Sequence, residues 1–388
     1  MRIAILTIPL NANYGGILQA YALQTTLEKL GNHEVVVLDN PYLLKMPPKF
    51  LRPFVYAMRL VGRKLGWYHG NIKKEAAKNM YCANTYHFVN ANIHEYYINS
   101  LKDIPKNRFD AIVVGSDQIW RSYFFHLYFG DMQDAFLRFT DGWNIKRIAY
   151  APSFGVEQWE YTAEETKECR KYIQRMDAVS CREVEGIEMC KKHLDCDTVK
   201  HVLDPTMLLT KADYQKFVTI NKEKTGKLLV YVMDPTEDKQ RLIDTIASKY
   251  CLVPNSIYNS GVKSPPSVEF WLQQFEDAEF VVTDSFHACV FSIIFGKEFI
   301  AYGNKNRGLS RFTSLLRMFG LEDRLILSFD EYIDKEIVSS ITESQKKLEE
   351  LRIESKEWLS NALNRAEGRL IDNNDCVEFL KSATALIR

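Results

Sequence analysis

The chain has 388 residues, 50 basic against 50 acidic side chains and 46% apolar residues, enough to bury one or two cores without disulfides or metals, which excludes a mini-protein. Its zero net charge excludes a general attraction to nucleic acid, so any charge-based recognition has to be local. At roughly 100–200 residues per domain the length implies two domains.

The opening run Met1–Ile8 is too short for a signal-peptide core or a membrane span, and Pro9 and Asn11 end it, so it reads as a first strand. No other stretch approaches the roughly eighteen uninterrupted apolar residues of a span, and the expected location is the cytoplasm. Eight cysteines scattered over the chain fit reduced thiols better than a disulfide framework.

Strand-like runs follow at Glu34–Asp39, Phe109–Val114, Arg147–Ala151, Asp177–Cys181 and Lys200–Leu203, separated by helical periodicity. A second series lies at Lys227–Met233, Cys251–Ile257, Glu279–Thr283 and Glu298–Tyr302. Such alternation means parallel sheets covered by helices. The expected architecture is α/β with two Rossmann-like lobes and a cleft between them: residues 1–210, then 211–335, with a helical segment over 336–388 packing back on both. Asp204-Pro205 and the polar stretch 221–226 mark the boundary.

Residues 41–70 hold six Lys/Arg, no acid, and several aromatics. Phe54, Met58, Val61 and Leu65 fall at helical spacing. Two readings stand, a solvated basic face or an amphipathic helix touching an anionic membrane or a lipid-linked pyrophosphate at the inner face of the membrane.

In open α/β sheets ligands collect at the carboxyl ends of strands. The first strand leads into Asn13-Tyr14-Gly15-Gly16 and a helix that Gly31 is placed to cap. The glycine pair permits close approach of a ligand or simply a tight turn; its spacing is not that of a dinucleotide site. The strand Phe109–Val114 ends in Gly115-Ser116-Asp117-Gln118, whose Ser116 and Asp117 are cleft groups or helix caps. Asp177–Cys181 ends in Arg182-Glu183. Glu279–Thr283 ends in Asp284-Ser285-Phe286-His287, where the positive helix end favours a neutral imidazole and Asp284 is placed either to orient it or to oppose that effect. After Tyr302 comes Gly303–Arg311, in which Asn304, Lys305, Arg307 and Arg311 suggest an anion cradle. Arg182, His287, Lys305, Arg307 and Arg311 would then face one interlobe cleft suited to a small, highly charged anion.

A zinc reading of Cys181, Cys190, His193 and Cys196 matches no common finger spacing. P-loop, nucleophile-elbow and H-E-x-x-H patterns are absent from the sequence.

As a set, Asn13–Gln24, Gly115–Trp120, Ser180–Glu183, Leu203–Thr206 and Thr283–Ala288 resemble the polysaccharide pyruvyl transferase family in order and spacing, over about residues 1–330. Residues 41–100 and the C-terminal helix carry little of it. The resemblance implies a fold similar to that of B-type glycosyltransferases and transfer of pyruvate from phosphoenolpyruvate onto a sugar as a cyclic ketal, across positions 4 and 6 of a hexose. It implies His287 as the proton-transfer group, and Arg182 with Arg311 as holders of the donor anion. Arg307, Lys305, Ser285 and Asn304 lie on the donor side, and Asn13, Tyr14, Gly15, Gly16, Ser116, Asp117 and Gln118 on the acceptor or cleft side. Glu183 stands where the family often has Asp. The expected partners are phosphoenolpyruvate as co-substrate and a sugar acceptor, lipid-linked on the strength of residues 45–64, with no cofactor, metal or nucleic acid. The alternatives are a nucleotide-sugar-dependent glycosyltransferase and a non-catalytic glycan-binding relative.

Overall fold

The computed structural model describes residues 1–39, 57, 58, 61, 81–220, 226–257, 264–303 and 308–364. Strands β1 (Arg2–Leu6), β2 (Glu34–Asp39), β3 (Glu95–Tyr97), β4 (Ala111–Val114), β5 (Lys146–Ala149), β6 (Ala178–Cys181) and β7 (Lys200–His201) form one sheet in the order β3-β2-β1-β4-β5-β6-β7. Strands β8 (Lys227–Tyr231), β9 (Val253–Ser256), β10 (Ala278–Thr283), β11 (Glu298–Tyr302) and β12 (Leu325–Ile326) form a second, ordered β12-β11-β10-β8-β9. Every pairing is parallel. The chain is therefore α/β with two Rossmann-like lobes.

The central strands are apolar over most of their length, as strands covered on both faces must be; Ala-Ile-Val-Val of β4 is buried at all four positions. The helix Phe286–Phe295 is apolar all round and wholly buried, the mark of a helix at the centre rather than on the surface. It belongs to an apolar cluster that runs through both lobes, from Ile5 and Leu18 to Phe291 and Phe299. The lobes thus share a core and do not merely touch. The helix Ile341–Asn364 ties them further: Leu203 N–H donates to Ser355 Oγ at 3.1 Å, and Arg352 Nε donates to the Met207 carbonyl at 2.8 Å.

Strand order places the ligand-binding crevice. Each sheet reverses direction once, between β1 and β4 in the first lobe and between β8 and β10 in the second. At such a reversal the following loops run to opposite faces of the sheet and leave a gap beyond the strand ends.

Two details differ from the sequence reading. The short edge strands β3 and β12 were not foreseen. The helix Tyr14–Gly31 is ended by Asn32, whose φ of +52° takes the left-handed position expected of Gly31; an asparagine tolerates that conformation too. His193 stacks on Trp159 with ring centroids 4.5 Å apart rather than joining Cys181 and Cys190, whose sulfurs are 3.9 Å from each other. Of the basic 45–64 segment, only Ala57, Met58 and Val61 fall among the described residues. Among the described residues no helix is long and apolar enough to cross a membrane.

Because the Leu203 N–H is buried against Ser355, Ser355→Ala leaves a buried donor without its partner. A loss of about 1–3 kcal/mol is expected, read as a thermal midpoint several degrees below that of the unaltered protein.

Candidate active site

The two switch points face each other across a cleft of about 550 Å³. The first lobe contributes Asn11–Gly15 after β1 and Asp117, Gln118, Arg121 and Phe124 after β4; the second contributes Tyr231 and Met233, Asp284–His287, and Arg311. A similarly large hollow of about 580 Å³ lies elsewhere on the second lobe, beside Lys249, Arg324 and Tyr332. It holds none of the expected site residues.

His287 sits in the first turn of the central helix, and its ring lies over Gly15 of the other lobe. A Cβ at Gly15 would fall 2.0 Å from the imidazole Nδ1. The missing side chain therefore admits the protein's own histidine, where the sequence reading offered a bound ligand or a tight turn. Gly16 is different, since its nearest neighbour is the Asn13 amide at 3.3 Å.

The His287 Nε2 faces Asp204 Oδ2 at 3.8 Å and has no hydrogen-bond partner among the described residues. Asp204 in turn receives Arg182 Nη1 at 2.7 Å, and its other oxygen receives the Thr206 N–H and hydroxyl. Arg182 also donates Nε to Glu183 at 2.7 Å and Nη2 to Asp117 at 3.4 Å, and stacks on Phe286 with its guanidinium carbon 4.5 Å from the ring centre. This is a correction for Arg182: its fork is turned to three carboxylates, and it lies buried below the cleft instead of facing a donor anion. It also gives Glu183 a place, as a partner of Arg182 Nε.

Electrostatics follow from that burial. Desolvation alone would pull Arg182 down, but Glu183, Asp204 and Asp117 together hold it above its ordinary value. Burial works to raise Asp204; Arg182, His287 and the Thr206 bonds outweigh it, so the carboxylate stays ionised below the usual range. For His287 burial dominates and lowers the pKa, with Asp204 and Asp117 opposing and Arg182 and Arg311 assisting. Its imidazole is neutral at pH 7. Burial, then the Arg182 charge, bring Arg311 down to about 10, still cationic at neutral pH.

Asp284 does not orient His287. Its carboxylate accepts the N–H groups of Met233 and Asp234 at 2.7 and 3.0 Å and the Lys239 ammonium at 2.7 Å. Ser116 lies beneath the cleft, its N–H held by Gln19 and its hydroxyl by the Ala151 carbonyl. Asp117, with φ of +56°, reaches Asn13 Nδ2 at 3.5 Å. Tyr14 donates to the Pro266 carbonyl across the lobes. Ser285 lines the cleft and makes no cap bond to its helix. Asn304, Lys305 and Arg307 lie outside the described residues. Arg121 and Trp271 line the cleft without having been singled out. Arg121 lies three residues beyond Gln118, and its place past the end of the Phe109–Val114 strand was the available signal; Trp271 left none.

A family description, polysaccharide pyruvyl transferase, matches residues 13–306. The chain belongs to that family. No curated protein sequence matches it. Solved structures of similar shape include the UDP-GlcNAc 2-epimerase from Methanocaldococcus jannaschii, at 12% identity over 99% of this chain and 100% of that one, TM-score 0.43. Another is the glycosyltransferase of kitacinnamycin, at 11% identity over 94% and 98%, TM-score 0.44. These likenesses assign this chain no ligand.

The contact between Gly15 and His287 is directly testable. Gly15→Ala should push the ring out of its buried seat and bring its pKa back up toward 6.5, whereas Gly16→Ala should leave it lowered. Histidine-ring NMR titration, with the His287 signal assigned by its loss in His287→Gln, reads the difference.

Proposed function

We propose that this member of the family moves pyruvate from phosphoenolpyruvate onto two hydroxyls of a hexose, at positions 4 and 6, as a cyclic ketal in surface or exopolysaccharide biosynthesis. The observation that carries the reading is a neutral, buried imidazole at the meeting point of both switch points, with Arg311 and Arg121 on the same cleft.

Phosphoenolpyruvate carries a carboxylate and a phosphate, so its pocket needs fixed cations in a partly desolvated place. With Arg182 committed to carboxylates, that task falls to Arg311 and Arg121. A cleft of about 550 Å³ is within the range of roughly 300–1,000 Å³ that holds small ligands. In the reaction C3 gains a proton and becomes a methyl, while C2 takes on oxocarbenium character. A first hydroxyl adds to C2 and gives its proton to His287; phosphate leaves with the bridging oxygen; the second hydroxyl closes the ketal. The proton gained at C3 balances the one lost from the first hydroxyl, and the second hydroxyl's proton goes to the phosphate. Asp204 fixes the imidazole and stabilises it once protonated.

The nucleotide-sugar alternative needs an open diphosphate cradle at a switch point. In the second lobe the backbone N–H groups there, and Lys239, are already occupied by Asp284, which supports the smaller donor.

Calorimetry should detect binding of phosphoenolpyruvate and none of uridine or guanosine diphosphate sugars; the reverse result would favour glycosyl transfer. His287→Gln should lower kcat by roughly 10²–10⁴-fold, the usual range for losing a general base, with the donor still bound. Because the base acts in its neutral form, kcat/KM should fall as pH drops through a pKa below 6.5. In Asp204→Asn that acid limb should move lower still, since the lost charge was raising His287. A limb that stays put in the variant would belong to the substrate phosphate instead.

A further inference from the structure

The cleft has two chemically different walls, each continuous. On one side Arg121 Nη1 donates to Gln118 Oε1 at 3.0 Å. The Gln118 amide lies against Gly155, whose carbonyl abuts Gly308, and Gly308 lies beside Arg311 Nε. This wall carries the guanidinium groups of Arg121 and Arg311 together with the carboxylates of Asp117 and of Glu160, which lies 3.6 Å from Arg121 Nε.

On the other side, Ser264 and Pro266 join the lobes. Ser264 Oγ donates to the Tyr81 carbonyl and the Tyr14 hydroxyl donates to the Pro266 carbonyl at 2.8 Å. Tyr14 stacks on Trp271, with centroids 5.3 Å apart and planes 16° from parallel, and Tyr231 meets Trp271 edge-on at 5.8 Å. Tyr81, Tyr14, Trp271 and Tyr231 all line the cleft. This wall is aromatic, and among these four none carries a formal charge at pH 7. Tyr81 is 44% exposed.

Trp271 carries a second mark. It is 1% exposed, lines the cleft, and its Nε1 has no hydrogen-bond partner among the described residues. A buried indole N–H normally finds an acceptor, because leaving it unmade costs about 1–3 kcal/mol. An acceptor that arrives with the substrate removes that cost.

We infer that the aromatic wall is the hexopyranose subsite: the apolar face of the sugar ring lies against Tyr81 and a ring hydroxyl accepts the Trp271 Nε1–H. The inference rests on the pyruvyl-transfer reading and deepens it. The dianionic donor goes to the wall of Arg121 and Arg311, the neutral sugar to the aromatic one, and His287 stands on the floor where they meet. Trp271 is then a substrate-positioning residue that discriminates a ring bearing a suitably placed hydroxyl from one lacking it.

Saturation-transfer NMR with methyl β-D-galactopyranoside and methyl β-D-glucopyranoside, together with calorimetry of phosphoenolpyruvate, tests this on the full chain. Tyr81→Ala alters an exposed side chain, and Trp271→Phe keeps the ring stack while removing the N–H. Each should weaken binding of the hexoside by roughly fivefold or more, about the value of one lost hydrogen bond or ring contact, and leave phosphoenolpyruvate affinity within twofold. Hexoside affinity unchanged in both variants, or no binding of either hexoside to the unaltered protein, would overturn the subsite. Hexoside binding weakened by both variants, with phosphoenolpyruvate never bound, would uphold the aromatic wall and overturn the donor assignment.

Discussion

A buried guanidinium surrounded by three carboxylates is the constraint on which the rest of this molecule depends. Arg182 is 4% exposed, and Asp117, Glu183 and Asp204 around it are equally sequestered. Such a cluster is costly to desolvate, and removing one partner leaves the others uncompensated. The three carboxylates come from separate stretches of the first lobe and hold the Arg182 fork on the protein's own charges. Asp204 also brings its carboxylate to 3.8 Å from His287 Nε2 of the second lobe, a through-space contact of charge rather than a hydrogen bond.

The fold supplies the opposition that makes this work. Each sheet on its own offers one crevice beyond its strand ends, and neither crevice contains both an imidazole and its carboxylate. Packing the lobes through a common apolar cluster, with the helix Ile341–Asn364 strapped across them, brings the two crevices face to face. Gly15 is the point of closest approach, where one lobe lacks a side chain so that the other can insert its histidine. In the second lobe's own crevice Asp284 takes the Lys239 ammonium and two backbone N–H groups, while His287 stands at the seam between the lobes.

Much of this was legible in the sequence, for physical reasons. Short apolar runs such as Phe109–Val114 and Glu279–Thr283 announce buried parallel strands, and the strand-end rule then finds His287, Asp117 and Arg311 without any knowledge of contacts. Three-residue β3 and two-residue β12 are too short to show a period, and Asn32 and Gly31 are both acceptable helix terminators by type. What sequence could not give was pairing. Arg182 reads as a free cation until Asp204 and Asp117, 22 and 65 residues away, are seen to close on it; Asp284 reads as a partner of His287 until Lys239 and two backbone N–H groups claim it. Trp271 gave no signal in the sequence, and among the described residues the structure shows it buried with one unpaired N–H.

The central claim is that this two-lobed seam releases the phosphate of phosphoenolpyruvate by breaking the bond from C2 to the bridging oxygen while a sugar hydroxyl takes that oxygen's place. Incubation with phosphoenolpyruvate carrying ¹⁸O at the bridging position and a hexose-containing glycan tests it most directly. The account predicts that the released phosphate carries the label and that the glycan gains an unlabelled pyruvate ketal. Phosphate released without the label, or a modified glycan formed from a sugar nucleotide with phosphoenolpyruvate unconsumed, would contradict it.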